Sequence, residues 1–202
     1  MKLRHSTTSP YVRKVSVVAI ETGLAGRIEA VPTNPWDPDD DLPTDNPLGR
    51  VPALMTDDGE VLFDSPVICE YLDSLQDEPK LFPPSGQARW QALRHQALAD
   101  GILDSAVSRF METSRRPEEL RWPSWDDRHR EKIARALDHL EAHVEALSGA
   151  ITIGQVAIGC ALGYLDFRFA GEDWRRNRPR LAAWYAGFAK RSSMQQTVPR
   201  AS

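Results

Sequence analysis

Asn46-Pro47-Leu48-Gly49-Arg50-Val51-Pro52-Ala53-Leu54 is the stretch whose reading decides the fold of this 202-residue chain. Gly49 punctuates it, and Pro52 has no amide hydrogen to give to a ladder. The apolar Ala53-Leu54-Met55 therefore reads as a strand entered through a glycine turn and a proline. A proline so placed is where a cis bond can sit, although only about 5–6% of X-Pro bonds in folded proteins are cis and the isomer is not written in the sequence. In the cis form the amide and carbonyl of Val51 are left unpaired by their own chain and open to an extended peptide.

Downstream, Asp57-Asp58-Gly59 links the strand at Ala53 to Thr56 with Glu60-Val61-Leu62-Phe63 as a hairpin. Phe63-Asp64-Ser65-Pro66 then opens a helix with Val67, Ile68, Tyr71 and Leu72 as its buried stripe. Upstream, Ser9 before Pro10 is a helix start, because a serine hydroxyl caps free amides and proline at the first helical position gives up nothing. That helix is predicted from Pro10 to Thr22, with Val12, Val15, Val18 and Ala19 inward and Gly23 as its stop. Arg27 to Val31 reads as another short strand. The order β-α-β then β-β-α is the thioredoxin-like arrangement, a mixed sheet covered by helices. Between Val31 and Arg50 lies a long proline-rich connection with an acidic run, Asp37 to Asp41, of a length that is usually functional or mobile.

The pattern changes near Pro79-Lys80-Leu81-Phe82-Pro83-Pro84, a linker whose Leu81 and Phe82 plug it onto the body of the protein. Beyond it, helical stripes run from Gln87 to Thr113, Asp126 to Leu147, Thr152 to Phe169 and Pro179 to Lys190. The third is almost free of charge and is expected to be the buried centre of a bundle, with Thr152 and Gln155 as a capping box. The expected organisation is an α/β plus all-α chain: residues 1–76 a thioredoxin-like domain, 77–86 a linker, and 87–202 an all-helical domain.

Composition narrows the function classes. A hydrophobic fraction of 41% and a charged fraction of 27% are ordinary for a globular protein. No run reaches the roughly 18 apolar residues of a membrane span, and the start lacks the apolar core of about 7–15 residues that a secretory signal needs. A net charge of −4 gives no electrostatic reason to bind nucleic acid. Cys69 and Cys160 sit far apart in apolar helical patterns, which suits buried thiols in a reducing compartment, and no metal-ligand spacing occurs among the histidines. A cytoplasmic protein with no membrane, nucleic-acid or metal partner is expected.

Ser9-Pro10-Tyr11-Val12-Arg13-Lys14, Asn46 to Leu54 and Phe63 to Pro66, in that order and spacing, resemble the cytosolic glutathione S-transferases, in particular a bacterial group with a serine before the first helix. The resemblance covers essentially the whole chain. It departs in the capping box, where Gln155 stands in place of the usual aspartate, and in having neither the tyrosine nor the cysteine that many classes use. It implies a glutathione site and an enzyme that conjugates glutathione to a small hydrophobic electrophile or reduces peroxides with it. A non-catalytic binding or regulatory protein of the same fold is the alternative.

By that resemblance Ser9 is the catalytic residue, with Ser6, Thr7 and Thr8 as nearby substitutes. Val51 pairs its backbone with the cysteinyl unit, Pro52 holds that geometry, Ser65 receives the γ-glutamyl carboxylate, Asp64 complements the α-amino group, and Arg50 meets the glycyl carboxylate. The electrophile site implied would draw on Tyr11, Phe110, Met111 and Trp122, with Asp100 and Asp104 reaching toward the site or across a twofold homodimer. The chemical task is to favour a thiolate. With a free pKa near ~8.5 a thiol is only a few per cent ionised at neutral pH, and a fall of about 1.5 units corresponds to about 2 kcal/mol. A hydrogen bond to a charged group supplies about 1.5–3 kcal/mol and a helix N-terminus about 0.3–1, so the hydroxyl carries most of it.

Overall fold

The structure, a computed structural model, describes residues 1–200. Two compact units form: Met1–Arg89 together with the segment from Ser192, and Trp90–Arg191.

The first unit is built on a four-stranded sheet in the order β2-β1-β3-β4. Strand β1 (Lys2–His5) runs parallel to β2 (Glu29–Pro32), with Leu3 opposite Ala30, and antiparallel to β3 (Leu54–Met55), with Leu3 opposite Leu54. β3 pairs antiparallel with β4 (Val61–Leu62), Leu54 opposite Leu62. This is the expected thioredoxin-like mixed sheet. Helix α1 (Pro10–Glu21) buries Val12, Val15, Val17, Val18 and Ala19 and packs on α3 (Ser65–Ser74) and α8 (Ser192–Gln196). Each buried aliphatic side chain is worth about 1.5–3 kcal/mol relative to exposure, so this one face is a large share of the unit's cohesion.

Two expectations shift. The inner stripe of α3 is Ile68, Cys69 and Leu72, while Val67 is 47% exposed. Asp64 is the N-cap, with Ser65 at the first helical position and Pro66 at the second. The short α8 lies on α1, whereas the sequence reading placed all of 87–202 in the helical domain. Five residues with Met194 and Ser193 as the buried positions are too short to show a helical period.

The long connection after β2 is ordered by its own asparagine and aspartate side chains. Asn34, Asp37 and Asp40 each accept from the backbone amide two residues on, at 3.2, 3.0 and 2.8 Å. These Asx turns lead into α2 (Leu42–Asp45), where Leu42 is buried. Arg4 on β1 pairs with Asp41 at 2.7 Å and Asp45 at 2.6 Å, tying the connection to the sheet. In the linker Leu81 and Phe82 are buried as expected, and the Leu81 amide donates to Asp73 at 2.6 Å.

The second unit is helical. It holds most of α4 (Gly86–Phe110), then α5 (Pro123–Ala142), α6 (Ile153–Arg168) and α7 (Pro179–Phe188). Every residue of α6 from Ile153 to Leu165 is buried, as its lack of charge requires. At its start Gln155 reaches back and accepts from the Thr152 amide at 2.6 Å and hydroxyl at 3.0 Å. Helix α5 starts earlier than its apolar period suggests because Pro123 suits the first turn. Past Phe110 the chain widens into a π-helical turn, Met111–Arg115. Buried Arg109 joins three segments: it holds Asp126 of α5 at 2.8 and 3.3 Å, Glu172 after α6 at 2.9 and 2.6 Å, and lies 4.5 Å above the Phe169 ring. Cys69 and Cys160 are buried and form no disulfide. Among the described residues no helix is long and apolar enough to cross a membrane, and no group of three or more His, Cys, Asp or Glu side chains is placed to hold a metal ion.

Candidate functional site

The register of the sheet brings the three sequence motifs to one end. β1 is antiparallel to β3, so the chain leaving β1 toward Ser9 lies beside the chain entering β3 from Val51 and Pro52. The Arg4 amide fixes this alignment by donating to the Ala53 carbonyl at 2.8 Å. β4 is antiparallel to β3, so its exit, Phe63-Asp64-Ser65, emerges at the same end. Loops at strand ends outside an α/β sheet are where such folds place their ligands.

Each loop presents a different group. The Val51-Pro52 bond is cis. Among the described residues no backbone hydrogen bond engages the Val51 amide or carbonyl, and Val51 is half-buried over buried Pro52. The turn before it is set by Asn46, which is 2% exposed. Its side chain donates to the Arg50 carbonyl at 2.7 Å and accepts from the Leu48 amide at 3.0 Å, and the Gly49 amide donates to the Asn46 carbonyl at 2.7 Å. Gly49 has φ +59, the left-handed conformation such a turn demands. The sequence reading quoted Asn46 within the motif and gave it no role. The Arg50 side chain is exposed.

At the mouth of α3 the Asp64 side chain does not cap the helix, and the Ile68 amide returns to the Asp64 carbonyl at 3.1 Å. The buried Ser65 hydroxyl and first-turn amides thus sit at the positive end of a ten-residue helix whose cap has not neutralised it.

Ser9 is the N-cap of α1, its hydroxyl oxygen accepting from the Val12 amide at 3.3 Å. A hydroxyl has two lone pairs and one proton, so capping uses an acceptor site and leaves the O–H to donate. Its neighbours are committed differently. Thr7 donates to the Arg200 carbonyl at 3.1 Å, and Ser6 and Thr8 share a contact at 3.3 Å. Beside Ser9 is a cavity of about 340 Å³, with His5, Arg13, Ser16, Thr197 and Arg200 among its walls. Burial holds the His5 imidazole below its ordinary pKa, so it is neutral near pH 7.

Of the residues expected to meet an electrophile, Tyr11 is half-buried in the first unit. In the second, Phe110 lies 4.1 Å under the Arg168 guanidinium, Met111 begins the π-helical turn, and Trp122 is exposed and stacked on Trp125 at 6.0 Å between ring centroids.

Comparison with known proteins places this geometry. The glutathione S-transferase N-terminal domain matches residues 8–75 and the glutathione S-transferase C-terminal domain matches residues 123–187. The uncharacterized GST-like protein YibF of Escherichia coli (strain K12) is 36% identical over 204 residues, covering 98% of each chain. A glutathione transferase family member from Pseudomonas fluorescens Pf-5, solved with bound glutathione, is 45% identical over 99% of both chains, with a TM-score of 0.94. A structure of a family member from the same organism with bound S-(propanoic acid)-glutathione is 43% identical over all of both chains, with a TM-score of 0.92. With both domains matched and relatives of this identity spanning its whole length, the chain belongs to the glutathione S-transferase family.

Proposed function

We propose that this protein is a serine-type glutathione transferase, which binds glutathione at the sheet end formed by Ser9, Val51-Pro52 and Asp64-Ser65 and joins its sulfur to a small electrophile. The observation that carries the reading is the register that gathers those three loops, in a chain 45% identical over 99% of its length to a protein solved with glutathione. In this reading the cysteinyl unit extends against the open Val51 backbone as an added strand, with Pro52 beneath it. The γ-glutamyl carboxylate accepts from the Ser65 hydroxyl and amide, Asp64 pairs with the α-amino group, and exposed Arg50 serves the glycyl carboxylate.

Ser9 donates its hydroxyl proton to the sulfur and keeps its cap to Val12, so both roles run together. The thiolate so favoured attacks the electrophile, and the thiol proton passes to solvent. The adduct bound by the 43% identical relative is a thioether of glutathione, the kind of product such a step yields. Tyr11, in the same unit as Ser9, is proposed to contact the electrophile, and the working form to be a cytoplasmic homodimer. The test is turnover of glutathione with chlorodinitrobenzene by wild type and Ser9→Ala. A rate that falls steeply in the variant is expected. Glutathione binding without turnover in the wild type would replace the enzyme with a binding protein of the same fold.

A further inference from the structure

The cavity beside Ser9 holds a charge that thiol activation leaves unused. One stripe of α1, Ser9, Val12, Arg13 and Ser16, forms a wall through residues three and four apart, and Thr197 and Arg200 face it within the same unit. Arg13 is 7% exposed. Its guanidinium donates to the Met194 carbonyl at 3.1 Å and to the Thr197 hydroxyl at 3.5 Å, both neutral acceptors. Among the described residues that line the cavity there is no aspartate or glutamate, and neutral His5 adds no charge of either sign. A buried guanidinium calls for a counter-charge, and the partners Arg13 meets among the described residues are a hydroxyl and a carbonyl.

We infer that this cavity is an anion subsite, and that the second substrate is an electrophile bearing a carboxylate, which Arg13 receives next to the sulfur held at Ser9. The inference rests on the glutathione reading above and narrows it to a substrate class. A volume of about 340 Å³ admits a small acid and no large aromatic system. A planar guanidinium is the side chain suited to a carboxylate. Thr7 and Arg200, joined by the Arg200 amide to the Thr7 carbonyl at 3.4 Å as well as by the Thr7 hydroxyl, close the rim.

The test uses a matched pair, chloronitrobenzoate and chloronitrobenzamide, alike in shape and different in charge. In each, sulfur bonds to the ring carbon bearing chlorine, the C–Cl bond breaks with its electron pair leaving as chloride, and the thiol proton passes to buffer. Wild type is expected to favour the acid in kcat/KM. Ser16→Asp places a carboxylate on Arg13's own stripe and should lower the acid-to-amide ratio by about tenfold or more, as should Arg13→Gln, with Arg13→Lys recovering part of it. Melting curves confirm that each variant is folded, and Ser16→Asp retains the buried arginine should Arg13→Gln fail to fold. Equal use of the two probes by wild type, or a ratio unmoved in folded Ser16→Asp, overturns the inference. So does a loss of glutathione affinity that accounts for the whole change, since Arg13 would then serve a carboxylate of the tripeptide. Titration with nitrobenzoate alone separates the two readings: uptake that Ser16→Asp abolishes supports the subsite even if glutathione does not bind, and no uptake overturns it.

Discussion

The Asn46 side-chain amide donates to the Arg50 carbonyl at 2.7 Å, closing the turn from which Val51 emerges with its backbone open. The same side chain accepts from the Leu48 amide, so one buried residue holds both arms of the turn. Removing it leaves a part-buried carbonyl without its donor, at a cost of about 1 kcal/mol or more. Asn46→Ala is therefore expected to raise the KM for glutathione about tenfold or more while changing kcat less. Steady-state kinetics with glutathione varied checks this, and an unchanged KM would separate the turn from the site.

Ser9 serves as cap and proposed donor, and two substitutions separate these. Replacing a serine cap by alanine costs about 1 kcal/mol of stability, but by glycine only a few tenths. Both remove the hydroxyl. In Ser9→Gly the thiol pKa of bound glutathione is expected to rise by about 1–2 units with the melting temperature nearly held. Thiolate absorbance followed against pH measures it, and a pKa that stays where wild type has it would assign Ser9 to capping alone.

Gly154 of α6 is pressed against α4: a Cβ there would lie 2.6 Å from the His95 Cβ and 2.8 Å from the Ala92 carbonyl oxygen. Backbone cannot yield as a flexible side chain would. Gly154→Ala is expected to destabilise by about 1–3 kcal/mol through overpacking. Gly101, within α4 and with nothing within 4 Å of its would-be Cβ, makes the opposite case. Gly101→Ala should stabilise by about 0.5–1 kcal/mol. Thermal melts of the pair check both signs together.

Burial holds His5, His95 and His129 below the ordinary histidine value of 6.5, and neither ring nitrogen of His129 has a hydrogen-bond partner among the described residues. For His129 the nearby cations Lys132 and Arg128 push the same way, and Asp126 opposes them. The unfolded chain then binds protons that the folded chain refuses, so stability is full above pH 6.5 and falls as pH drops below it. His129→Phe removes one such group and should flatten the acid side of the curve. Melting temperature against pH, wild type and variant, measures the slope, and parallel curves would contradict this.

Much of the fold was legible because its signals are local. Ser9-Pro10 gave a helix start that the structure reproduces, and the chargeless run from Ile153 to Leu165 could only be interior. What was hidden depends on pairing at a distance. The β-α-β order implies a strand before the first helix but leaves its residues unassigned, because Lys2-Leu3-Arg4-His5 carries one buried apolar residue, Leu3, and becomes a strand by lying between β2 and β3. Val67 reads as core because it is an apolar residue beside Ile68, yet the helix turns it outward. At the candidate site the motif residues were readable one by one, whereas Asn46's hold on the turn and the buried cation of Arg13 required coordinates. Their partners, the Arg50 carbonyl and the Met194 carbonyl, are backbone atoms with no signature in a side-chain sequence.

Calorimetric titration of glutathione into wild type and Ser65→Ala tests the central claim most directly. The account predicts saturable uptake of one tripeptide per chain, weakened about tenfold or more when the hydroxyl at the α3 mouth is removed. No heat of binding up to millimolar glutathione, or identical affinity in the two proteins, would contradict it.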